Sequence, residues 1–157
     1  MSRAGIGWDS HRLEAGRALV LGGVRVEGAE RGLVGHSDAD VLTHAVIDAF
    51  LGAAGLGDIG LHFPDTDERW RDADSIELLR AVRRMLAEAG AEPVHVDATV
   101  ACEAPRLSPW RDGMRERLAA ALGLEPEAVN VKFTTGERMG FVGRGEGVAA
   151  LAIATLA

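Results

Sequence analysis

The chain has 157 residues, of which 47% are hydrophobic and 26% are charged, and its formal net charge is -7. This composition predicts one soluble globular domain over residues 1–157, and the scattering of its 17 basic residues excludes the clustered positive surface on which nucleic-acid binding depends. No apolar stretch approaches the roughly 20 residues that span a bilayer. The N-terminal MSRAGIGWDSH lacks the basic and apolar segments of a signal peptide. We therefore expect a cytoplasmic protein that contacts neither nucleic acid nor membrane.

The chain begins with two predicted strands and a helix. Short apolar runs punctuated by glycine predict strands over residues 4–13 and 17–26, joined by tight turns. From Asp38 the apolar residues recur at the helical period, which predicts an amphipathic helix that ends near Gly55 or Gly57.

A long loop and a second helix follow. Residues 57–74 contain several aspartates, a proline and little periodicity, which predicts a loop of the length that is usually functional or mobile. The second helix is expected to begin at Asp74 or Ser75, with Glu77 as a capping-box partner, and to stop at Gly90.

The remaining elements are three strands and one helix. Strands are expected at residues 94–104, 128–135 and 147–157. Ser108 followed by Pro109 predicts a helix start, and Gly123 its end. Cys102, the single cysteine, has apolar and small neighbours and is expected to be a buried structural thiol. The order β-β-α-α-β-α-β-β predicts an α/β sandwich, with helices packed on one face of a mixed sheet.

The triplet at residues 9–11 combines a carboxylate with an imidazole. Because Asp9 and His11 are two residues apart on a predicted strand, their side chains point to the same side. The pair suits a metal ion, but it equally fits a strand-end aspartate beside a surface histidine.

A polar stripe runs along the first predicted helix. Asp40, His44 and Asp48 are four residues apart, so they share one side of the helix beside its apolar rows. A histidine at such an edge is commonly a packing residue. If His44 meets Asp9 and His11, however, two imidazoles and one carboxylate leave a fourth tetrahedral position open, as in a catalytic zinc site.

Two other stretches suit phosphate groups. His36 and Ser37 precede the first helix, where free N–H groups and the helix dipole favour an anion, and Ser37 or Asp38 is the expected cap. Residues 133–147 lack the phosphate-loop pattern, and their glycines equally fit turns. The hydroxyls and carboxylate of Thr134, Thr135 and Glu137 nevertheless suit a diphosphate carried by Mg²⁺. Arg144 and Glu146 are expected to pair with each other or with a symmetry mate.

Five separate stretches share their order and spacing with one family. They are GWDSH, HSDADVLTH, GDIGLHFPDTD, EAPRL and TTGERMGFVGRGEG, which together extend over essentially the whole chain. In these stretches the chain resembles the 2-C-methyl-D-erythritol 2,4-cyclodiphosphate synthases of the non-mevalonate isoprenoid pathway. The resemblance implies a compact homotrimer, with sheets facing the three-fold axis and an active site at each subunit interface.

The resemblance also implies roles for individual residues. It makes Asp9, His11 and His44 the ligands of Zn²⁺ or another divalent transition metal, and Glu137 the ligand of Mg²⁺ or Mn²⁺. It makes His36, Thr135 and Glu137 catalytic. The implied substrate contacts are Asp9, His11, His36, Ser37, Asp58, Gly60, Asp65, Ala104, Arg106, Leu107, Phe133, Thr134, Thr135, Phe141 and Arg144.

Within that set the resemblance divides the substrate. His36 and Ser37 hold phosphates, Asp58 and Gly60 contact the ribose, and Asp65 belongs to the loop that receives the methylerythritol group. The cytidine pocket comes from residues 104–107 and 133–135 of the neighbouring chain.

The implied reaction converts 4-diphosphocytidyl-2-C-methyl-D-erythritol 2-phosphate to the cyclic diphosphate and CMP. The alternatives are a metal-dependent phosphohydrolase that acts on a nucleotide diphosphate, and a non-catalytic trimeric protein that binds nucleotides or isoprenoids.

Three positions depart from the commonest form of the family. Trp8 stands where the family more often has phenylalanine. The resemblance implies that it lies near the central apolar cavity of the family's trimers, which Arg144 and Glu146 would close and which can hold isoprenoid diphosphates. Arg106 stands where a lysine is usual, and Gly136 replaces a frequent threonine. We further expect Asp40, one turn before His44, to accept a hydrogen bond from the free ring N–H of that histidine.

Overall fold

In a computed structural model, which describes residues 2–157, the chain forms a mixed five-stranded sheet with helices on one face. The strands are β1 (Arg3–Ala15), β2 (Val20–Leu21), β3 (Val24–Arg25), β4 (Arg31–Leu33), β5 (Pro93–Ala101), β6 (Val129–Thr134) and β7 (Gly147–Leu156). The helices are α1 (Val41–Ala54), α2 (Ile59–His62), α3 (Ser75–Glu88), α4 (Arg111–Leu122) and α5 (Gly140–Gly143). The sheet order is β4-β1-β7-β5-β6, in which only β5 and β6 are parallel neighbours.

The helical face of the sheet is closest to α1 at the glycines of β1. A Cβ atom at Gly7 would lie 1.9 Å from the Ala45 carbonyl oxygen, and one at Gly5 would lie 2.1 Å from that of Ala49. The absence of side chains at these two positions lets the helix backbone rest directly on the strand. This contact fixes where the polar side chains of α1 lie relative to those of β1.

The opposite face of the sheet presents apolar side chains to the exterior. Trp8 is 56% exposed and is the register partner of Leu151, and Ile6 is 65% exposed and is the partner of Ile153. Both pairs alternate with helix-facing residues along β1 and β7, as the two-residue period of a strand requires. The predicted sandwich with helices on one face is therefore confirmed.

Three features of the connections differ from what was predicted. The predicted strand over 17–26 is instead the β2–β3 hairpin, because Gly22 and Gly23 both adopt positive φ, 58° and 72°, and reverse the chain. Strand β4 was not expected. The segment 57–74 contains α2 and a 3-10 turn at Glu68–Trp70.

The second and third predicted helices form, with changes at their starts. Asp74 caps α3 by accepting from the backbone N–H of Ile76 at 2.9 Å, while Glu77 pairs with Arg80 and completes no capping box. A 3-10 turn at Ser108–Trp110 precedes α4. Among residues 2–157, no helix combines the length and apolar character needed to cross a membrane.

Candidate metal centre and substrate clefts

Asp9, His11 and His44 come together in the structure. Asp9 and His11 lie on the helix-facing side of β1, and His44 lies in the first turns of α1, which Gly7 allows to approach the strand. The Oδ2 atom of Asp9 is 3.0 Å from His11 Nε2 and 3.1 Å from His44 Nδ1. The three ligand atoms lie within 4.8 Å of one another. The spacing prediction for this trio is confirmed as a group of side chains that can share one metal ion.

In each histidine, the ring nitrogen that points away from Asp9 has a hydrogen-bonding partner, and this partner determines the tautomer. His11 Nδ1 lies 2.8 Å from the Val34 carbonyl oxygen, which only accepts, so Nδ1 carries a proton. When a metal displaces the Nε2 proton that otherwise hydrogen-bonds to Asp9, the Nε2 lone pair faces the same point as the Asp9 carboxylate. His44 has the reverse arrangement, with Nδ1 toward Asp9 and Nε2 2.8 Å from Ser75 Oγ. Two nitrogen lone pairs and one carboxylate oxygen then converge, and this donor set fits a divalent transition metal with one position open.

The electrostatics of the trio favour an ionised carboxylate. Burial alone would raise the pKa of Asp9, but hydrogen bonds and charge from His11 and His44 outweigh it and lower this pKa to about 2. For His11, burial opposes protonation, while the hydrogen bond and charge of Asp9 favour it, and the pKa is raised. Asp9 is therefore negative throughout the neutral range and available as a ligand.

Asp40 has a different role from the one expected. It is fully buried and its carboxylate accepts from the backbone N–H groups of Gly22, Gly23 and Thr43 and from the Thr43 hydroxyl, at 2.7–2.9 Å. The prediction that Asp40 accepts from His44 is wrong, because its oxygens are engaged by the α1 start and the β2–β3 turn.

The predicted cap of α1 is also wrong. Asp40 is the N-cap, rather than Ser37 or Asp38, and Ala39 before it has φ 57°, which interrupts any earlier helix. His36 and Ser37 therefore lie in an irregular segment before α1, and not in its first turn.

A cleft of about 460 Å³ opens over the trio. Its lining includes Asp9, His11, His36, Ser37, His44, Gly60 and Asp65 of the predicted set. Ser37 Oγ accepts from the Ala39 backbone N–H at 3.3 Å, and His36 Nε2 lies 3.2 Å from the Asp67 carbonyl oxygen. Asp58 caps α2 at the edge of this region, and its Oδ1 accepts from the Leu61 backbone N–H at 3.0 Å.

A second cleft, of about 490 Å³, lies beyond the ends of β5 and β6. Arg106, Leu107, Phe133, Thr134 and Thr135 line it, whereas Ala104 does not. The two clefts have no lining residue in common among those described. The predicted substrate contacts that line these clefts are therefore divided between two separate surfaces of one chain.

The C-terminal polar turn places three other predicted residues outside both clefts. Glu137 is exposed, has φ 52°, and its Oε1 accepts from Thr135 Oγ1 at 3.4 Å. Arg144 donates to Glu146 at 2.8 Å, which confirms the expected pairing within the chain. Phe141 is 38% exposed and lines a smaller cleft beside His11 and Glu146.

The sequence profile of the YgbB family matches residues 2–157. The chain belongs to the YgbB family. A relative from Rubrobacter xylanophilus, named 2-C-methyl-D-erythritol 2,4-cyclodiphosphate synthase, is 62% identical over 98% of this chain and 94% of that protein. A relative of the same name from Symbiobacterium thermophilum is 58% identical over 98% of this chain and 97% of its own length.

A solved structure supports the same grouping. The CDP-bound form of a 2C-methyl-D-erythritol-2,4-cyclodiphosphate synthase matches with a TM-score of 0.90 and 38% identity, over 99% of this chain and 100% of that one. At this identity and coverage, the two chains share the whole fold.

Several cleft residues of this YgbB family chain escaped the sequence reasoning. Trp70 and Phe63 form an edge-to-face pair, with centroids 5.0 Å apart, on the wall of the first cleft. In the second cleft the Arg111 guanidinium lies 5.1 Å from the Phe133 ring centre. Glu103 accepts from the Gly136 backbone N–H at 2.8 Å and so holds the C-terminal turn. Among these residues, only Phe63 and Trp70 offered a signal in the sequence, because they interrupt a polar loop.

Proposed function

We propose that the chain catalyses the cyclisation of 4-diphosphocytidyl-2-C-methyl-D-erythritol 2-phosphate, as a phosphorus-oxygen lyase. The observation that carries the proposal is the convergence of Asp9, His11 and His44 in a cleft that His36 and Ser37 also line. The names of its relatives support the same reaction.

The reaction takes place within one substrate molecule. An oxygen of the 2-phosphate forms a bond to the β-phosphorus, and the bond from that phosphorus to the oxygen bridging to the α-phosphate breaks. CMP leaves with this oxygen and the electron pair, and an eight-membered cyclic diphosphate remains. Because attacking and leaving groups both belong to the substrate, the chain supplies no nucleophile and acts through positioning and charge.

Two cations fit the residues present. Asp9, His11 and His44 would hold Zn²⁺ or another divalent transition metal, which when bound polarises the phosphate being attacked. The exposed carboxylate of Glu137 would share Mg²⁺ or Mn²⁺ with the diphosphate, since Mg²⁺ commonly combines one or two carboxylates with phosphate oxygens. Local cations also reconcile a substrate of several negative charges with a chain whose net charge is -7.

The remaining residues bind and orient. Ser37 Oγ keeps its hydrogen free to donate to a phosphate, because it accepts from the Ala39 backbone N–H. His36 precedes it in the chain and lines the same cleft, and Asp58, Gly60 and Asp65 follow along the segment that would receive the sugar and the methylerythritol group. The apolar wall formed by Phe63, Pro64 and Trp70 helps to exclude water from the reacting phosphates.

The second cleft would bind cytidine on behalf of a neighbouring copy. Arg106, Leu107, Phe133, Thr134 and Thr135 line it without sharing a residue with the metal cleft, and Ala104 flanks it. A homotrimer with the open sheet faces around the three-fold axis would cover the exposed Ile6 and Trp8 rows and bring one cleft against the other.

The centre of such a trimer would be apolar around Trp8, with Arg144 and Glu146 at its mouth, and would suit an isoprenoid diphosphate. The absence of binding and of any shift in trimer melting with farnesyl diphosphate would contradict that part of the proposal. We also propose a cytoplasmic location, with no membrane or nucleic-acid partner.

The activity is tested by incubating the substrate with protein, Zn²⁺ and Mg²⁺ and separating the products. CMP together with a cyclic diphosphate is expected. CMP with a linear bisphosphate would indicate a phosphohydrolase instead, and nucleotide binding without turnover would indicate a non-catalytic protein.

A further inference from the structure

The outer nitrogen of His44 has an unexpected partner on another helix. Ser75, the first residue of α3, is fully buried, and its Oγ lies 2.8 Å from His44 Nε2. His44 itself is nearly buried, with 11% of its side chain exposed. The contact joins residues that are 31 positions apart in sequence, so tertiary packing alone creates it.

The direction of this hydrogen bond is set by a third residue. Ser75 Oγ also contacts the Asp38 carboxylate, which can only accept, so the serine hydroxyl donates to Asp38. The other Asp38 oxygen accepts from the Ser75 backbone N–H at 2.9 Å, which fixes the serine from both sides. The lone pairs of Ser75 Oγ are then available to accept from a His44 Nε2–H group.

A second hydroxyl is also near His44. Ser37 Oγ lies 3.2 Å from His44 Nε2, farther than Ser75 Oγ, and its acceptor capacity is already shared with the Ala39 backbone N–H. Ser37 also lines the cleft, whereas Ser75 does not. The two serines therefore have different roles: Ser37 faces the cleft, and Ser75 is the nearer hydrogen-bonding partner of His44.

We propose that Ser75, fixed by Asp38, is the positioning residue that holds His44 with a protonated Nε2 and presents its Nδ1 lone pair to the metal. This inference rests on the proposed metal site, though not on the identity of the reaction. Outer-sphere partners of this kind fix the tautomer and ring orientation of a ligating histidine.

The same contacts attach the cleft segment to the metal helix. Ser75 directly follows residues 57–74, which supply Phe63, Asp65 and Trp70 to the cleft. The Asp38 backbone N–H donates to the Ala73 carbonyl oxygen at 3.2 Å, just before Ser75. Orientation of His44 is thereby linked to the anchored end of the segment that borders the substrate.

The test measures zinc affinity by chelator competition in Ser75→Ala, with Asp74→Ala as a matched control. Both changes remove a polar group at the start of α3, but the Asp74 side chain accepts only from the Ile76 backbone N–H and forms no hydrogen bond with His44. We expect Ser75→Ala to weaken zinc binding by about 10- to 100-fold and Asp74→Ala to lower only the unfolding midpoint. Ser75→Thr, which keeps the hydroxyl, should bind zinc like the unaltered protein.

Three results would overturn the proposal. The first is an unchanged zinc affinity in Ser75→Ala, and the second is a loss in Ser75→Thr equal to that in Ser75→Ala, which would assign the effect to packing. The third does not depend on any variant: a His44 Nε2–H proton that exchanges freely with solvent in nitrogen-resolved NMR of the zinc-loaded protein. Failure of the unaltered protein to bind zinc would refute the metal site itself, which separates the two claims.

Discussion

The contact between β1 and α1 should control both the stability of the fold and the zinc affinity of the metal site, and Gly7→Ala tests this. The added Cβ would stand 1.9 Å from the Ala45 carbonyl oxygen and 2.7 Å from the Ala49 backbone nitrogen. Comfortable carbon–oxygen contacts are about 3.3 Å, so α1 must withdraw from the strand by more than about 1 Å. Both obstacles are backbone atoms, which no change of rotamer relieves.

We expect Gly7→Ala to lower the free energy of unfolding by about 3 kcal/mol, at the upper end of the range for overpacked cores. Because His44 moves with α1 while Asp9 and His11 stay on β1, zinc affinity should also fall by at least about tenfold. Urea unfolding with a chelator present gives the first quantity, and chelator competition gives the second.

Gly52→Ala is the matched control within α1. A Cβ at Gly52 would meet nothing closer than the Ile6 carbonyl oxygen at 3.9 Å, and alanine is favoured over glycine inside a helix by about 0.5–1 kcal/mol. This variant should be at least as stable as the parent and should bind zinc equally well. Native stability and native zinc affinity in Gly7→Ala would refute the argument that the strand positions His44 through this contact.

Three other predictions use different parts of the molecule. His44→Ala should release zinc and abolish turnover while leaving the sedimentation coefficient of the protein unchanged; retained zinc would remove His44 from the ligand set. Asp40→Ala should cost about 3 kcal/mol or more in urea unfolding, because several buried donors lose their acceptor, and a change below about 1 kcal/mol would contradict the role assigned to Asp40. Burial raises the pKa of the Cys102 thiol to about 11, so iodoacetamide should label it at pH 8 only after unfolding and should label the folded protein only as the pH approaches that value. Rapid labelling of folded protein at pH 8 would show that the thiol is neither buried nor protonated.

Hydrophobic periodicity and turn residues were enough to predict much of the fold. The 3.6-residue repeat after Asp38 gave α1, and Gly55 and Gly123 end α1 and α4 in the left-handed conformation, as expected for glycine at a helix end. Strand alternation correctly placed Asp9 and His11 on one side of β1. These features depend on residues close in sequence, which is why local patterns suffice to predict them.

The errors arose where several local solutions were equally good. Ser37, Asp38 and Asp40 are all suitable caps, and only the left-handed backbone at Ala39 selects Asp40. A composition-based strand over 17–26 overlooked that two adjacent glycines can reverse the chain.

The partner of His44 lay beyond sequence reasoning for a different reason. Asp40 is one helical turn away and was the natural candidate, whereas Ser75 approaches from α3 through the packing of two helices. Similarly, the separation of the predicted substrate contacts between two clefts depends on sheet order, which spacing along the chain does not specify.

The most direct test of the central claim is a zinc titration of the chelator-treated protein, with Mg²⁺ present, in which CMP release from the substrate is followed. We expect CMP release and the cyclic product to rise together and to saturate at one zinc per chain, and His44→Ala to stay inactive throughout. Full activity of the metal-free protein, or the same saturation curve in His44→Ala, would contradict the assignment of Asp9, His11 and His44 as the metal centre of the reaction.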